Sequence, residues 1–212
     1  MTDEQDVFET VDDYIARGGA IPEKCGYTRL SEGTVADFAA MQVSGGMRDV
    51  GIADWLTREL KSQRGDAGVY PVNRYMHGLQ TATLAWEAGV RDEQMLMAAL
   101  FHDIGDLSIA NHAEVAAAIL KPYVRPEIYW IVKHHEMFQA HYYGHFFGDD
   151  RNMRDRYRGH PHFKATVRFC EEWDDPAFDP KGKTMPLSEF EPIVKRVFDK
   201  PLRDVWDHVD DD

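Results

Sequence analysis

The stretch "ALFHDIGD", residues 99–106, ends an apolar run on a histidine and an aspartate, His102 and Asp103, just before a glycine. Read alone, the pair is a polar helix terminus. Its surroundings are helical in both directions. Upstream, Tyr75, Met76, Leu79, Ala82, Thr83 and Trp86 recur at intervals of three and four, and Gly89 stands where a C-terminal cap belongs. Asp92 then caps the helix that carries Met95, Leu96, Ala99 and Leu100 into the pair. Downstream, the pattern predicts a helix over 112–120 that stops before Pro122, and another opened by Pro126, "PEIYWIVKHHEMFQ". Further helices are expected in "HPHFKATVRFCEEWDD" and in "LSEFEPIVKRVF", where Ser188 and Glu191 have capping-box spacing. Shorter ones are expected over residues 3–17, in "GTVADFAAMQVSG" and in "GIADWLTREL". No segment alternates with period two for long enough to make a strand, so the fold class is all-α. The organisation expected is one structural domain, with residues 1–70 a helical extension packed on a core of residues 71–200.

Composition narrows the function. The chain has 212 residues, 43% of them hydrophobic and 12% aromatic, enough for one sizeable core. A net charge of -13 repels polyanions and argues against a nucleic-acid partner. The start, "MTDEQDVFET", is acidic where a signal peptide is basic and then apolar, and no run approaches the roughly 18 apolar residues of a membrane span. The two cysteines, Cys25 and Cys170, are far apart, as in a reducing compartment. The expectation is a cytoplasmic protein with no membrane partner.

The metal-competent groups are dispersed over these helices in the order His77, His102, Asp103, His112, His134 or His135, and Asp174. Singly, each reads as a satisfied core histidine or a solvated carboxylate. Together they are several costly polar groups set among apolar residues, and one metal centre in the interior of a bundle accounts for all of them. Imidazole suits iron, zinc and nickel, and Asp103, beside His102, is placed to bridge two ions with its two oxygens.

The ordered series His77, His102-Asp103 and Asp174 resembles the HD-domain superfamily of metal-dependent phosphohydrolases and oxygenases over roughly residues 70–180, and the added His112 and His135 resemble its dinuclear members. The resemblance implies an HD-type helical bundle with a dinuclear site in its core. "HGLQTA", residues 77–82, is similar to a stretch of the mixed-valence di-iron oxygenases, the myo-inositol oxygenase-like and phosphonate-cleaving enzymes. That implies two iron ions, Fe(II) and Fe(III), dioxygen as co-substrate, and oxidative cleavage of a C-C or C-P bond in a small hydroxylated molecule. By the same resemblance one iron is held by His77, His102 and Asp174, the other by His112 and His135, with Asp103 bridging. His135 is preferred to His134, and Asp174 to Asp175.

The departures bear on substrate. Where many superfamily members carry a lysine or histidine three residues after the HD aspartate, this chain has Asp106, and where phosphonate oxygenases have a lysine four residues after the last histidine ligand it has Gln139. Asp106 is suited to accept from substrate hydroxyls or to meet an ammonium group. Some mononuclear nucleotide-cleaving members place an acid there to activate water. The alternative reading is therefore a phosphohydrolase using manganese, cobalt or nickel on a nucleotide or other phosphoester, with a degenerate HD module used for ligand sensing behind it. The segment "HYYGHFFGDDRNMRDRYRGHPHF" has the aromatic and basic composition of a pocket cover, with His141, Tyr142, Tyr143 and His145 as pocket candidates. In it Arg151, Arg154, Arg156 and Arg158 either neutralise an anionic substrate or pair with Asp149, Asp150 and Asp155.

Overall fold

The computed structural model describes residues 9–44, 51–65, 67–104 and 111–202, and among them every regular element is a helix. Chain contacts divide the protein into two units, residues 1–50 and 51–212. The first holds α1 (Val11–Ala16) and α2 (Val35–Val43), which pack on each other. Thr34 and Asp37 start α2 with a reciprocal capping box, and Asp37 also accepts a hydrogen bond from the Gly26 amide at 2.8 Å. The helix expected over residues 3–17 is seen as Val11–Ala16; residues 1–8 lie outside those described.

The second unit contains α3 (Ile52–Ser62), α4 (Arg74–Glu87), α5 (Glu93–Phe101), α6 (His112–Leu120), α7 (Pro126–Tyr143), α8 (Phe163–Phe169) and α9 (Leu187–Val197). Local chemistry accounts for most of the boundaries. The Asn73 side chain accepts from the Met76 amide to open α4, and Asp92 accepts from Gln94 and Met95 to open α5. At the far end of α4, the amides of Gly89 and Val90 close onto the carbonyls of Trp86 and Ala85 at 3.0 Å, and Gly89 supplies the left-handed turn with φ +87°. Pro126 occupies the first turn of α7. The capping box expected from Ser188 and Glu191 is not formed. α9 begins two residues earlier than a Ser188 cap would start it, after Pro186, with no side-chain cap, because the proline's fixed extended geometry already sets the entry.

α5 lies at the centre. Leu96, Met97, Ala98, Ala99, Leu100 and Phe101 are buried on successive residues, so the helix is apolar all round and is enclosed by α4, α7 and α9. Each large side chain enclosed in this way contributes roughly 1.5–3 kcal/mol of burial free energy. A polar pair at the end of such a helix is delivered into the protein interior. No helix among the described residues is long and apolar enough to cross a membrane.

Candidate metal centre

The end of α5 places His102 as its C-cap and Asp103 in the turn that follows. Around them stand His77 from α4, His112 as the first residue of α6, His135 from α7, and Asp174, which closes a π-helical turn, Cys170–Asp174, continuing directly from α8. All six are buried.

Three of the histidines are held in one tautomer by the backbone. Nδ1 of His77 donates to the Ala177 carbonyl at 3.0 Å, Nδ1 of His102 to Ala99 at 3.0 Å, and Nδ1 of His135 to Val132 at 2.7 Å. Each Nε2 is thereby left as a lone pair pointing inward. The inward atoms then crowd together: Nε2 of His77 and His102 lie 3.0 Å apart, and Asp174 Oδ1 lies 3.0 Å from the first and 3.3 Å from the second. Two imine nitrogens and a carboxylate oxygen at this separation repel one another unless a cation sits among them. The other oxygen, Asp174 Oδ2, is buried with no hydrogen-bond partner among the described residues. The donor set and this orphaned oxygen fit a divalent metal.

Asp103 joins that triad to the remaining histidines. Its Oδ1 lies 3.2 Å from His135 Nε2, 3.3 Å from His112 Nε2 and 3.7 Å from His102 Nε2, while Oδ2 faces His77 Nε2 at 3.7 Å. Among the described residues the buried metal-competent triads are thus His77, His102, Asp174 and His102, Asp103, His135, the ligand atoms of each within 4.8 Å of one another. His112 meets the second group through the same Asp103 oxygen, and its Nδ1 stands 3.8 Å from Glu136.

Electrostatics agree with a cation site. Burial pushes the carboxyls of Asp103 and Asp174 up, but the surrounding histidines outweigh it and hold both well below the ordinary carboxylate range. Burial opposes the charge on His77, yet the Asp174 and Asp103 carboxylates beside it raise its basicity overall. Arg74, one turn before His77 on α4, closes the set by placing its guanidinium on Asp103 Oδ2.

Residues of the stretch 77–82 have distinct physical roles around the cluster. A Cβ on Gly78 would stand 2.6 Å from the Leu100 carbonyl oxygen, so only glycine lets α4 press against α5 closely enough to join His77 to His102. Gln80 is buried and donates from Nε2 to the Asp179 carbonyl at 2.7 Å, clamping the segment after Asp174. That segment carries Phe178, which stacks on the His77 ring at 4.2 Å. Thr81 returns a hydrogen bond to the His77 carbonyl, and Ala82 packs with no exposure.

Of the alternatives open in the sequence, His135 faces the cluster. His134 turns away, donating from Nδ1 to Trp130 and stacking on its ring at 4.1 Å. Asp174 is buried at the centre and Asp175 is exposed at the cavity wall. Gln139 lines the same cavity, and Asp106 lies outside the described residues. Among the pocket candidates only Tyr143 lines the cavity; His141 donates to the Arg151 carbonyl and His145 packs on Phe146. None of the four arginines reaches it. Arg158 pairs with Asp155 at 2.8 Å, and Arg156 lies over Tyr157. Arg74, Gly78, Glu136 and Phe178 are site residues that sequence reasoning passed over. For Arg74 the signal was available, since a residue three before His77 shares its helical face.

Residues 74–172 match the HD domain. The matched region spans five of the six cluster residues and ends two residues before Asp174. HD domains are in general metal-dependent enzymes, hydrolases and oxygenases among them. No curated protein matches the chain. The all-α bundle with a His/Asp cluster in its core is the architecture of this domain.

Proposed function

We propose that the protein is a di-iron HD-domain oxygenase that uses dioxygen to cleave a C-C or C-P bond of a small hydroxylated substrate. The observation that carries this reading is the placement of Asp103, whose Oδ1 faces His112 and His135 while Oδ2 faces His77. One carboxylate reaching both halves of the histidine set is what a bridged pair of ions needs. The similarity of residues 77–82 to the di-iron oxygenases favours oxygen chemistry over hydrolysis.

In this reading His77, His102 and Asp174 would hold one ion and His112 and His135 the other, with Asp103 shared between them. Two iron ions bound there would supply dioxygen activation and Lewis acidity toward a substrate hydroxyl. The backbone carbonyls on Nδ1 of His77, His102 and His135 keep the three rings from rotating and their Nε2 atoms deprotonated. Phe178 over His77 and Phe169 at the edge of His102 keep water from the flank of the site. Gln139, one turn beyond His135, offers an amide to a substrate hydroxyl at the cavity wall. Arg74 supplies a guanidinium to the cavity lining, placed on Asp103, and Gln139 stands where similar oxygenases anchor a phosphonate with a lysine.

The test is spectroscopic. Partial reduction of aerobically iron-loaded protein should give an EPR signal with g values below two, from an antiferromagnetically coupled Fe(II)/Fe(III) pair. Absence of that signal together with hydrolysis of nucleotides by the manganese, cobalt or nickel form would overturn the oxygenase reading in favour of a phosphohydrolase.

A further inference from the structure

The cavity over the His/Asp cluster encloses about 910 Å³, near the upper end of the range for sites that take drug-sized ligands, roughly 300–1,000 Å³. Its composition changes with depth. The floor is His77, Asp103, His112, His135 and Asp174. The exposed part of the lining is apolar on two segments: Val69 and Tyr70 from the connection between α3 and α4, and Tyr143 and Phe147 from the end of α7 and the turn after it. These side chains stand in water, Val69 97% exposed and Phe147 78%. Large apolar groups left exposed on two segments of one cavity mark a surface that something apolar covers.

We propose that the substrate is amphipathic, with a polar head bound at the cluster and a hydrocarbon tail running out between Val69-Tyr70 and Tyr143-Phe147. The tail belongs to the same molecule as the head because floor and rim line one continuous cavity. A cationic tail held by the aromatic rings fits less well. Val69 has no ring to offer a cation, and the Tyr70 ring already carries the Arg74 guanidinium at 5.7 Å, which repels a second positive charge. This inference rests on the metal-centre reading and is independent of the choice between oxygenase and hydrolase.

Straight-chain hydroxamic acids test it, because the hydroxamate binds metal and its chain length can be varied one carbon at a time. Affinities of acetohydroxamate through octanohydroxamate for the cobalt-loaded full chain are measured by calorimetry. A buried tail gains about three- to fourfold in affinity per methylene over the first several carbons. The double variant Val69→Ser/Phe147→Ser, both at exposed positions where folding is not at stake, should cut the advantage of octano- over acetohydroxamate at least tenfold. A series in which acetohydroxamate binds and longer chains gain nothing overturns the tail while leaving the metal centre standing. Tighter binding of a chain ending in trimethylammonium than of its tert-butyl isostere overturns it in favour of a cation. Failure of every member to bind would refute the metal-centre reading and this inference with it.

Discussion

Gly78→Ala sets two physical effects against each other inside the candidate site. In an open helix the change stabilises by about 1 kcal/mol, because alanine is the better helix former. Here the new Cβ would meet the Leu100 carbonyl oxygen at 2.6 Å, and the obstacle is backbone, which cannot rotate aside. Reaching an ordinary C–H···O separation of about 3.3 Å requires α4 and α5 to part by about 0.7 Å. Overpacking of this kind costs about 1–3 kcal/mol, so the net effect expected on the metal-free protein is a loss of about 0–2 kcal/mol. The metal centre suffers more. Leu100 is two residues from His102 and Gly78 adjoins His77, so the displacement falls directly between two facing nitrogens now 3.0 Å apart, where metal geometry tolerates about 0.2 Å. Metal affinity should fall at least tenfold. Urea unfolding of the metal-free variant and calorimetric metal titration measure the two effects separately. A variant that is more stable by about 1 kcal/mol and binds metal as the parent does would refute the argument that glycine is required at this contact.

Asp103→Ala should lose both metals whereas His134→Ala keeps them, since His134 stacks on Trp130 away from the cluster; elemental analysis of the two proteins checks this, and the opposite pattern would reverse the assignment. Gln80→Leu should destabilise by about 0.5–1.5 kcal/mol in urea unfolding, because the hydrogen bond to the Asp179 carbonyl is lost while the buried Gln80 Oε1, unpartnered among the described residues, is lost with it. The metal-free protein should lose thermal stability as the pH rises from about 6.5. His77, whose basicity the two carboxylates raise against the effect of burial, stabilises the fold fully below the unfolded histidine pKa and loses that contribution as the pH passes its raised folded value. Metal displaces that proton, so Tm of the loaded protein should not fall over the same range, and parallel profiles for the two forms would count against the site. Asp103 and Asp174, held low, add stability above about pH 4 that is lost only in stronger acid.

The helices were legible where their signals were local. Asn73, Asp92, Pro126 and Gly89 act through groups within a few residues, and the boundaries of α6 come out as read, at His112 and Leu120. α9 shows the opposite case: Ser188 and Glu191 have the spacing of a capping box, but Pro186 fixes the chain's entry first. The ligand types could be read as a set because burying six polar groups without a shared reason is costly. Their choice among neighbours could not be read from spacing alone. A π-helical turn inserts a residue before Asp174, with the Asp175 amide bonded to the Cys170 carbonyl at 2.8 Å, and this shifts the helical face by an amount that no 3.6-residue count anticipates. Gln80 and Phe178 act across about a hundred residues of sequence, through a carbonyl and a ring stack that only the fold brings together.

The central claim is a dinuclear centre bridged by Asp103, and the metal content of the purified full chain tests it most directly. After expression in iron-rich medium and anaerobic purification, elemental analysis should find close to two irons per chain. A reproducible value near one would contradict the bridged pair and leave Asp103 serving a single ion.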